Sequence, residues 1–435
     1  MPKTKLVLKE LIANLDSVPQ YEQFLEKLRK SLRSLAEFYG FEPMATAPFE
    51  DVRVFYPLMK AGFFEERIPV ICKMRTGSEV LLRPSGALGA VRAYTTHKLS
   101  ELPSPLKVSF SGDSFFQAQK RDEKITSLKE CGLVMIGEEG PVAEAEIIQV
   151  IWKSLGGIGM DMKNLQVRLN ATGCQICRPY FRSAFGTYFR SRAQRLCKNC
   201  KRFFKRTPTK ILVCEDEKCK IVSRSAPPVL DFLCALCKKH LKGLLEFLDE
   251  VSVPYFLDPK LFREGSWFNS FIFEVVAVKD LNELNKNGGD AGWVLAEGGL
   301  LSRAAEALSG KKLDVAAGVI SLEAVYGLLS AESGLVGIEK PKVFLAHLGE
   351  LAKRRGLFLL EGLRAGGIEV RESLGRDAIK SQLKVAERLE AEIALILGQK
   401  EALDNTIIVR EVASGAQETI PQEKLVEFLK KKLKK

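Results

Sequence analysis

Apolar residues recur at helical spacing from Tyr21 to Tyr39, where Phe24, Leu25, Leu28, Leu32, Leu35 and Phe38 share one face. The period then shortens. Pro69–Met74 and Glu79–Leu82, joined through Thr76-Gly77-Ser78, read as a hairpin, and Ser85–His97 reads as a helix. Lys107–Ser111 and Gly132–Gly137 read as strands around a polar excursion, Gln117–Lys129. Val142–Leu155 is a helix that Gly156-Gly157 stops. Leu165–Ala171 and Phe271–Lys279 are β-rich runs on either side of a cysteine-rich stretch. A linker at Gly334–Pro341 precedes a cleaner alternation. Lys342–Ala346, Ile368–Arg371, Ile393–Leu397 and Ile407–Val412 read as strands, and Leu348–Ala365, Asp377–Leu389 and Gln422–Lys435 as helices. The pattern predicts an α+β protein: an antiparallel-sheet core split into 1–165 and 251–335, an insertion at 166–250, and a C-terminal α/β domain at 340–435.

Eight of the ten cysteines lie in the insertion, as four pairs: Cys174/Cys177, Cys197/Cys200, Cys214/Cys219 and Cys234/Cys237. A two-residue gap lets both thiolates of one knuckle turn reach the same tetrahedral ion, and two knuckles complete the shell. Four such pairs predict one or two structural zinc ions rather than redox thiols. Spacing leaves the pairing of the knuckles open. Cys72 and Cys131 sit in apolar runs and read as small core residues.

From Arg178 to Lys210 there are eleven Lys or Arg and no Asp or Glu. Tyr180, Phe181, Phe185, Tyr188, Phe189, Phe203 and Phe204 are interleaved with them. Cations that offset phosphate charge, with rings beside them, mark a nucleic-acid surface. The candidates are Arg190, Arg192, Arg195, Lys198, Lys201, Arg202, Lys205 and Arg206. Two plainer readings compete: cations that balance metal thiolates, and rings that fill a small core. The run Lys430–Lys435 reads more simply, as a solvated helix end. A net charge of +12 favours polyanionic partners, and 46% hydrophobic residues over 435 positions suffice for real cores. Neither an apolar segment near Met1 nor an 18-residue apolar run is present, which with knuckle-spaced cysteines predicts a soluble cytoplasmic protein without a membrane partner.

Several stretches taken together resemble the histidyl-tRNA synthetase family of class II aminoacyl-tRNA synthetases. Leu82-Arg83-Pro84-Ser85-Gly86-Ala87 with Val91-Arg92-Ala93 is similar to its LRPEGT…VRA segment. Gly173-Cys174 with Cys177-Arg178-Pro179, and Ala226-Pro227 with Leu230–Cys234, are similar to its cysteine-bearing insertion. Val253-Pro254-Tyr255 with Leu257-Asp258-Pro259 looks like the return to its core. Gln382-Leu383-Lys384, Ala394–Gly398 and Gln417-Glu418 are similar to its anticodon-binding domain. The resemblance implies a class II core, a C-terminal anticodon-binding-like domain, tRNA as partner, and a homodimer formed through the region similar to motif 1, Gly40–Phe55.

The residues that resemblance assigns to chemistry are altered. Activating an amino acid with ATP brings two anions together, so cations must hold both in line. Aligned on Gly112 and Gly137, the motif 2 arginine falls on Phe116 and its glutamate on Ala118. The motif 3 arginine falls on Ala324, and each loss should cost roughly 10²–10³ in rate. In the amino-acid pocket, the LRPEGT glutamate is Ser85, the acidic residue after motif 2 is Val134, and the glutamine four positions earlier is Glu130. An ammonium buried without partners costs several kcal/mol. RGLDYY becomes Arg263-Glu264-Gly265-Ser266-Trp267-Phe268, and GGRYD becomes Gly298-Gly299-Leu300-Leu301-Ser302. Arg83 and Arg263 are expected to survive as structural pairs. His97, His240 and His347 are far apart in sequence and none sits in a catalytic motif. No catalytic residue is assigned, and ATP is not expected to be a cofactor.

Three functions remain. The first is a non-catalytic relative that binds tRNA or another structured RNA, since the chemistry is lost while the basic insertion persists. The second is a regulatory or accessory subunit with a protein partner, of which the ATP phosphoribosyltransferase regulatory subunit is the example. Such subunits lack the anticodon domain that this chain resembles. The third is a divergent histidine–tRNA ligase in which Lys120, Arg121 or Arg303 replaces the lost arginines. The first accounts for most of the pattern.

Overall fold

The protein is described from a computed structural model. It covers residues 18–433 apart from 66, 118–124, 205–207, 213, 215, 264, 278–292, 334–340, 374 and 376–377. Two compact units divide between residues 337 and 338, and the linker expected at Gly334–Pro341 lies, but for Pro341, outside the described residues. In the first, α1 (Pro19–Phe38) buries Phe24, Leu25, Leu28 and Leu32 of the predicted face together with Tyr21, while Leu35 is half-buried and Phe38, at the last position of the helix, is exposed instead. Strands β1 (Glu42–Pro43) and β2 (Phe49–Asp51) lead into α2 (Val52–Lys60), capped by Asp51. Then come β3 (Ile68–Pro69), β4 (Ile71–Lys73), β5 (Glu79–Leu82) and α3 (Gly86–Thr96), whose N-cap is Ser85.

Strands β6 (Leu106–Gln117) and β7 (Ile125–Ile136) pair along their whole length. Of the polar excursion read at 117–129, residue 117 and residues 125–129 are strand, with 117 and 126–129 half-buried at the end of the ladder, and 118–124 lie outside the described residues. After α4 (Val142–Gly157) and β8 (Leu165–Gly173) comes a helical insertion: α5 (Cys177–Arg190), α6 (Lys198–Phe203), α7 (Glu217–Arg224) and α8 (Ala235–Glu250). The chain returns through β9 (Tyr255–Leu257), β10 (Asn269–Ala277), β11 (Trp293–Leu300), α9 (Ser302–Ser309), β12 (Val315–Ser321) and α10 (Leu322–Ser333).

Among the described residues the main sheet runs β1-β6-β7-β12-β11-β10-β8-β9, with β3 also on β6 and every central pair antiparallel. One face buries Leu133, Val167 and Phe273 against α1, α4 and α8. The other buries Val134, Ile272 and Val319 against α2, α3 and α9. A small sheet, β2-β5-β4, stands apart.

The second unit contains β13 (Val343–His347), α11 (Glu350–Ala365), β14 (Val370–Glu372), α12 (Ile379–Arg388), β15 (Ile393–Leu397), α13 (Gln399–Asp404), β16 (Thr406–Glu411), β17 (Gln417–Pro421) and α14 (Leu425–Lys432). Its sheet order is β14-β13-β15-β16-β17, parallel at β14-β13-β15 and antiparallel beyond. The basic tail behaves as a solvated helix end, with Lys431 on Glu427 at 2.7 Å and Lys432 on Glu411 at 2.9 Å. No described helix is long and apolar enough to cross a membrane.

Candidate functional site

The fold pairs the knuckles that spacing left open. Cys174 and Cys177 meet Cys234 and Cys237, while Cys197 and Cys200 meet Cys214 and Cys219. Within each group the sulfurs lie within 4.8 Å of one another. Cys174 Sγ is 3.5 Å from Cys177 and 3.9 Å from Cys234, and Cys197 Sγ is 3.9 Å from Cys214. Four thiolates about 2.3 Å from one ion lie roughly 3.8 Å apart, so both groups can hold a tetrahedral metal. Backbone amides support the sulfurs: the Cys234 N–H donates to Cys177 Sγ at 3.1 Å and the Cys197 N–H to Cys219 Sγ at 3.3 Å. The first group closes the base of the insertion, where Ala171 and Phe271 of the sheet pack against it. The second closes a distal core of Phe181, Phe185 and Phe189.

Those three rings are fully buried, one per helical turn, so the plainer reading of the aromatics holds for them. Tyr188 is half-buried and Tyr180 is exposed. Of the basic candidates, Arg190, Arg195, Lys198, Lys201 and Arg202 are exposed. Arg192 lies 4.0 Å over the Tyr188 ring and donates to the Tyr188 carbonyl at 3.2 Å. Lys205 and Arg206 lie outside the described residues, as do Ala118, Lys120 and Arg121.

On the opposite part of the sheet, Arg83 is buried by its own hydrogen bonds. It donates to the Asp113 carbonyl at 2.7 and 3.0 Å and to the carbonyl and hydroxyl of Thr46 at 2.8 and 2.9 Å. Gly112 makes room for it, since a Cβ there would collide with the guanidinium. Ser85 Oγ sits 3.3 Å from Glu130, which also accepts from the Gly86 N–H at 2.5 Å. Burial raises the Glu130 carboxyl above the usual range against these donors. Val134 is fully buried in the core, and Ala324 lies in the first turn of α10. Its neighbour Glu323 accepts from the Lys129 N–H at 2.6 Å, and burial pushes its carboxyl up to about 7.

Between these points runs an array that the motif reading did not anticipate. Arg168, Glu274 and Glu297 stand opposite one another on β8, β10 and β11. Arg168 binds Asp258 at 3.4 Å and Glu274 through two nitrogens. Arg263 bridges Glu274 and Glu297, and Arg67 closes the row on Glu297 at 2.8 Å. The Arg67 guanidinium also lies 5.3 Å from the Phe116 ring and 5.4 Å from Trp267. Three arginines thus face three carboxylates, Asp258, Glu274 and Glu297. Burial would raise the Glu297 carboxyl, but Arg67 and Arg263 outweigh it and hold it down at about 2. The sequence signal was a lone charge in each apolar strand, at Arg168, Glu274 and Glu297. Arg303 stacks 5.5 Å over Phe63, and burial lowers its pKa. His240 meets Glu144 at 2.7 Å and stacks on Phe271, while His347 is buried beside Gln382.

A long antiparallel sheet with helices on both faces, a helical insertion between β8 and β9, and a separate α/β unit define a class II aminoacyl-tRNA synthetase-like architecture. A histidyl-tRNA synthetase family model matches residues 15–178, and an anticodon binding domain model matches 342–432. A histidine–tRNA ligase of Desulforamulus reducens is 30% identical over 417 residues, 94% of each chain. That of Pelotomaculum thermopropionicum is 28% identical over 422 residues, 96% of each. Apo histidyl-tRNA synthetase of S. aureus superposes with a TM-score of 0.73 at 25% identity, covering 95% of this chain and 97% of that one. A Bacillus halodurans protein described as an ATP phosphoribosyltransferase regulatory subunit/histidyl-tRNA synthetase shares the fold, with a TM-score of 0.59 at 14% identity over 88% and 96%. The chain belongs to the histidyl-tRNA synthetase family.

Proposed function

We propose that this member of the family is catalytically silent and binds tRNA or a related structured RNA through its insertion and its anticodon-binding domain. The observation that carries the reading is the paired array across β8, β10 and β11. Activation needs free cations to face a carboxylate and a triphosphate. Here Arg67, Arg168 and Arg263 already face buried carboxylates, Phe116 and Ala324 stand where the resemblance puts two arginines, and Val134 is core. An ATP phosphate would have to displace Glu297 from two guanidiniums.

The cysteine groups hold two structural zinc ions, one per group. The soft four-thiolate set and the sulfur spacing support zinc, as does the placing of each group inside its own small core. Phe49 and Ile71 are exposed on the small sheet and Met74 just beyond it, in and beside the motif 1-like stretch, and they support a homodimer. The reading places the protein in the cytoplasm.

One observation favours a divergent ligase instead. Arg67, in the bend just before β3, brings a guanidinium beside Phe116, so a cation stands near the vacated motif 2 position. The experiment for the RNA reading is a titration with tRNA at several salt concentrations. Binding should be tight and weaken steeply with salt. Replacing Arg195, Lys198, Lys201 and Arg202 with glutamine should lower affinity and flatten the salt slope by roughly 0.7–0.9 per lost phosphate contact. Absence of tRNA binding, or a slope unchanged by the four replacements, would refute the reading.

A further inference from the structure

The two metal groups differ at their knuckle tips. In the distal group the residues between the first cysteine pair are Lys198 and Asn199, both exposed and polar. In the basal group each two-cysteine turn carries an aliphatic residue immediately before its second cysteine: Ile176 before Cys177 and Leu236 before Cys237. Ile176 is 62% exposed and Leu236 76%. Ile176 has helical backbone angles, so Tyr180 stands one turn further along the same face, and it is 67% exposed. Metal binding does not call for these side chains, as the distal group shows.

The surroundings of this apolar patch are cationic. From Cys174 to Arg190 the charged residues are Arg178, Arg182 and Arg190. From Cys234 to Leu245 they are Lys238, Lys239 and Lys242, beside His240. No carboxylate lies in either stretch, although the exposed Asp231 and Glu246 flank the second and Glu246 pairs with Lys242 at 3.5 Å, which leaves Arg178, Arg182, Arg190, Lys238 and Lys239 as the cationic surroundings. Three exposed apolar side chains fall far short of the roughly 20–30 residues a side of a stable protein interface. They do match the face of one or two nucleobases, while lysines and arginines around them match the phosphates.

We infer that Ile176, Tyr180 and Leu236 form a platform on the basal metal group that receives unpaired bases of a bound RNA, next to its double-stranded part. The inference rests on the RNA-binding reading and adds to it a preference for a single-stranded extension. The four cysteines supply the rigidity: they fix both tips to one point, so the platform costs little ordering on binding.

The test compares a hairpin RNA with and without a short single-stranded tail, using the metal-loaded full chain. The tail should tighten binding roughly tenfold. Joint replacement Ile176→Ser, Tyr180→Ser and Leu236→Ser should remove that increment and leave affinity for the blunt hairpin unchanged, whereas Tyr180→Phe should retain it. Metal content and thermal unfolding verify the fold of the triple variant, and Tyr180→Ser alone serves if it does not fold. A wild-type protein that binds both RNAs equally overturns the platform and leaves RNA binding standing. A wild-type protein that binds neither overturns both. A folded triple variant that keeps the tail preference overturns the platform, and loss of self-association in that variant would assign the patch to a protein contact.

Discussion

Glu297 offers the sharpest perturbation of the charged array. Its side chain is 13% exposed, sits opposite Glu274 on the neighbouring strand, and meets Arg67 and Arg263. Two carboxylates side by side in a sheet repel, so the arginines are what hold the row together. A carboxyl held at about 2 rather than 4.5 corresponds to about 3 kcal/mol of stability at pH 7. Glu297→Gln keeps the shape and removes the charge, leaving two guanidiniums short of a partner. A loss of about 3 kcal/mol, near the 3–5 kcal/mol typical of broken buried pairs, is expected at pH 7. Because the folded-state value is depressed, this stability is complete above the unfolded value near 4.5 and is lost as pH falls toward 2. Roughly 60% of it is gone by pH 3. Urea unfolding of both proteins from pH 7 downward should therefore show a gap that narrows as acid is added. The same substitution frees positive charge from Arg67 and Arg263, so ATP affinity should rise. A gap below about 1 kcal/mol at pH 7, or one independent of pH, would refute the assignment of Glu297 as the centre of the array.

Two further outcomes are expected. Metal analysis should find two zinc ions per chain, and replacing Cys174 and Cys177 with serine should remove one of them while Cys197 and Cys200 replacements remove the other. Because each group sits in its own small core, neither pair should empty the other site. Glu323→Gln should behave opposite to Glu297→Gln. Burial pushes its carboxyl up to about 7, so the wild type loses stability as pH rises from 4.5 through 7, and the glutamine variant should be more stable by up to about 3 kcal/mol at pH 8. By pH 5 most of that gain should vanish, and equal stability at pH 8 would contradict it.

Much of the architecture is legible along the chain because its periodicity is local. The long first helix, the hairpin before Arg83 and the strand at Ile393–Leu397 need only alternation and turn residues to be read. Gln399–Asp404 and Gln417–Pro421 escape such a reading, since one is a single short turn of helix and the other an exposed polar edge strand. The insertion shows the limit most clearly. Its cysteines announce metal, but their partition into two groups depends on how α5 to α8 fold back. Its aromatic residues read as a surface or as a small core, and the helical spacing of Phe181, Phe185 and Phe189 takes those three into a core. The array was illegible as a site because Arg67, Arg168, Glu274, Arg263 and Glu297 come from five separate segments. Arg168, Glu274 and Glu297 each look like an accident in an apolar strand, and only the register of β8, β10 and β11 brings them together, with Arg67 and Arg263 reaching them from loops.

Histidine-dependent ATP–pyrophosphate exchange tests the central claim most directly, because it measures activation without any choice of RNA. Folded, metal-loaded protein should be silent beside an active synthetase control, since Arg67, Arg168 and Arg263 are spent on Asp258, Glu274 and Glu297. Exchange above background would contradict the account, and Arg67 would then be the first residue to replace.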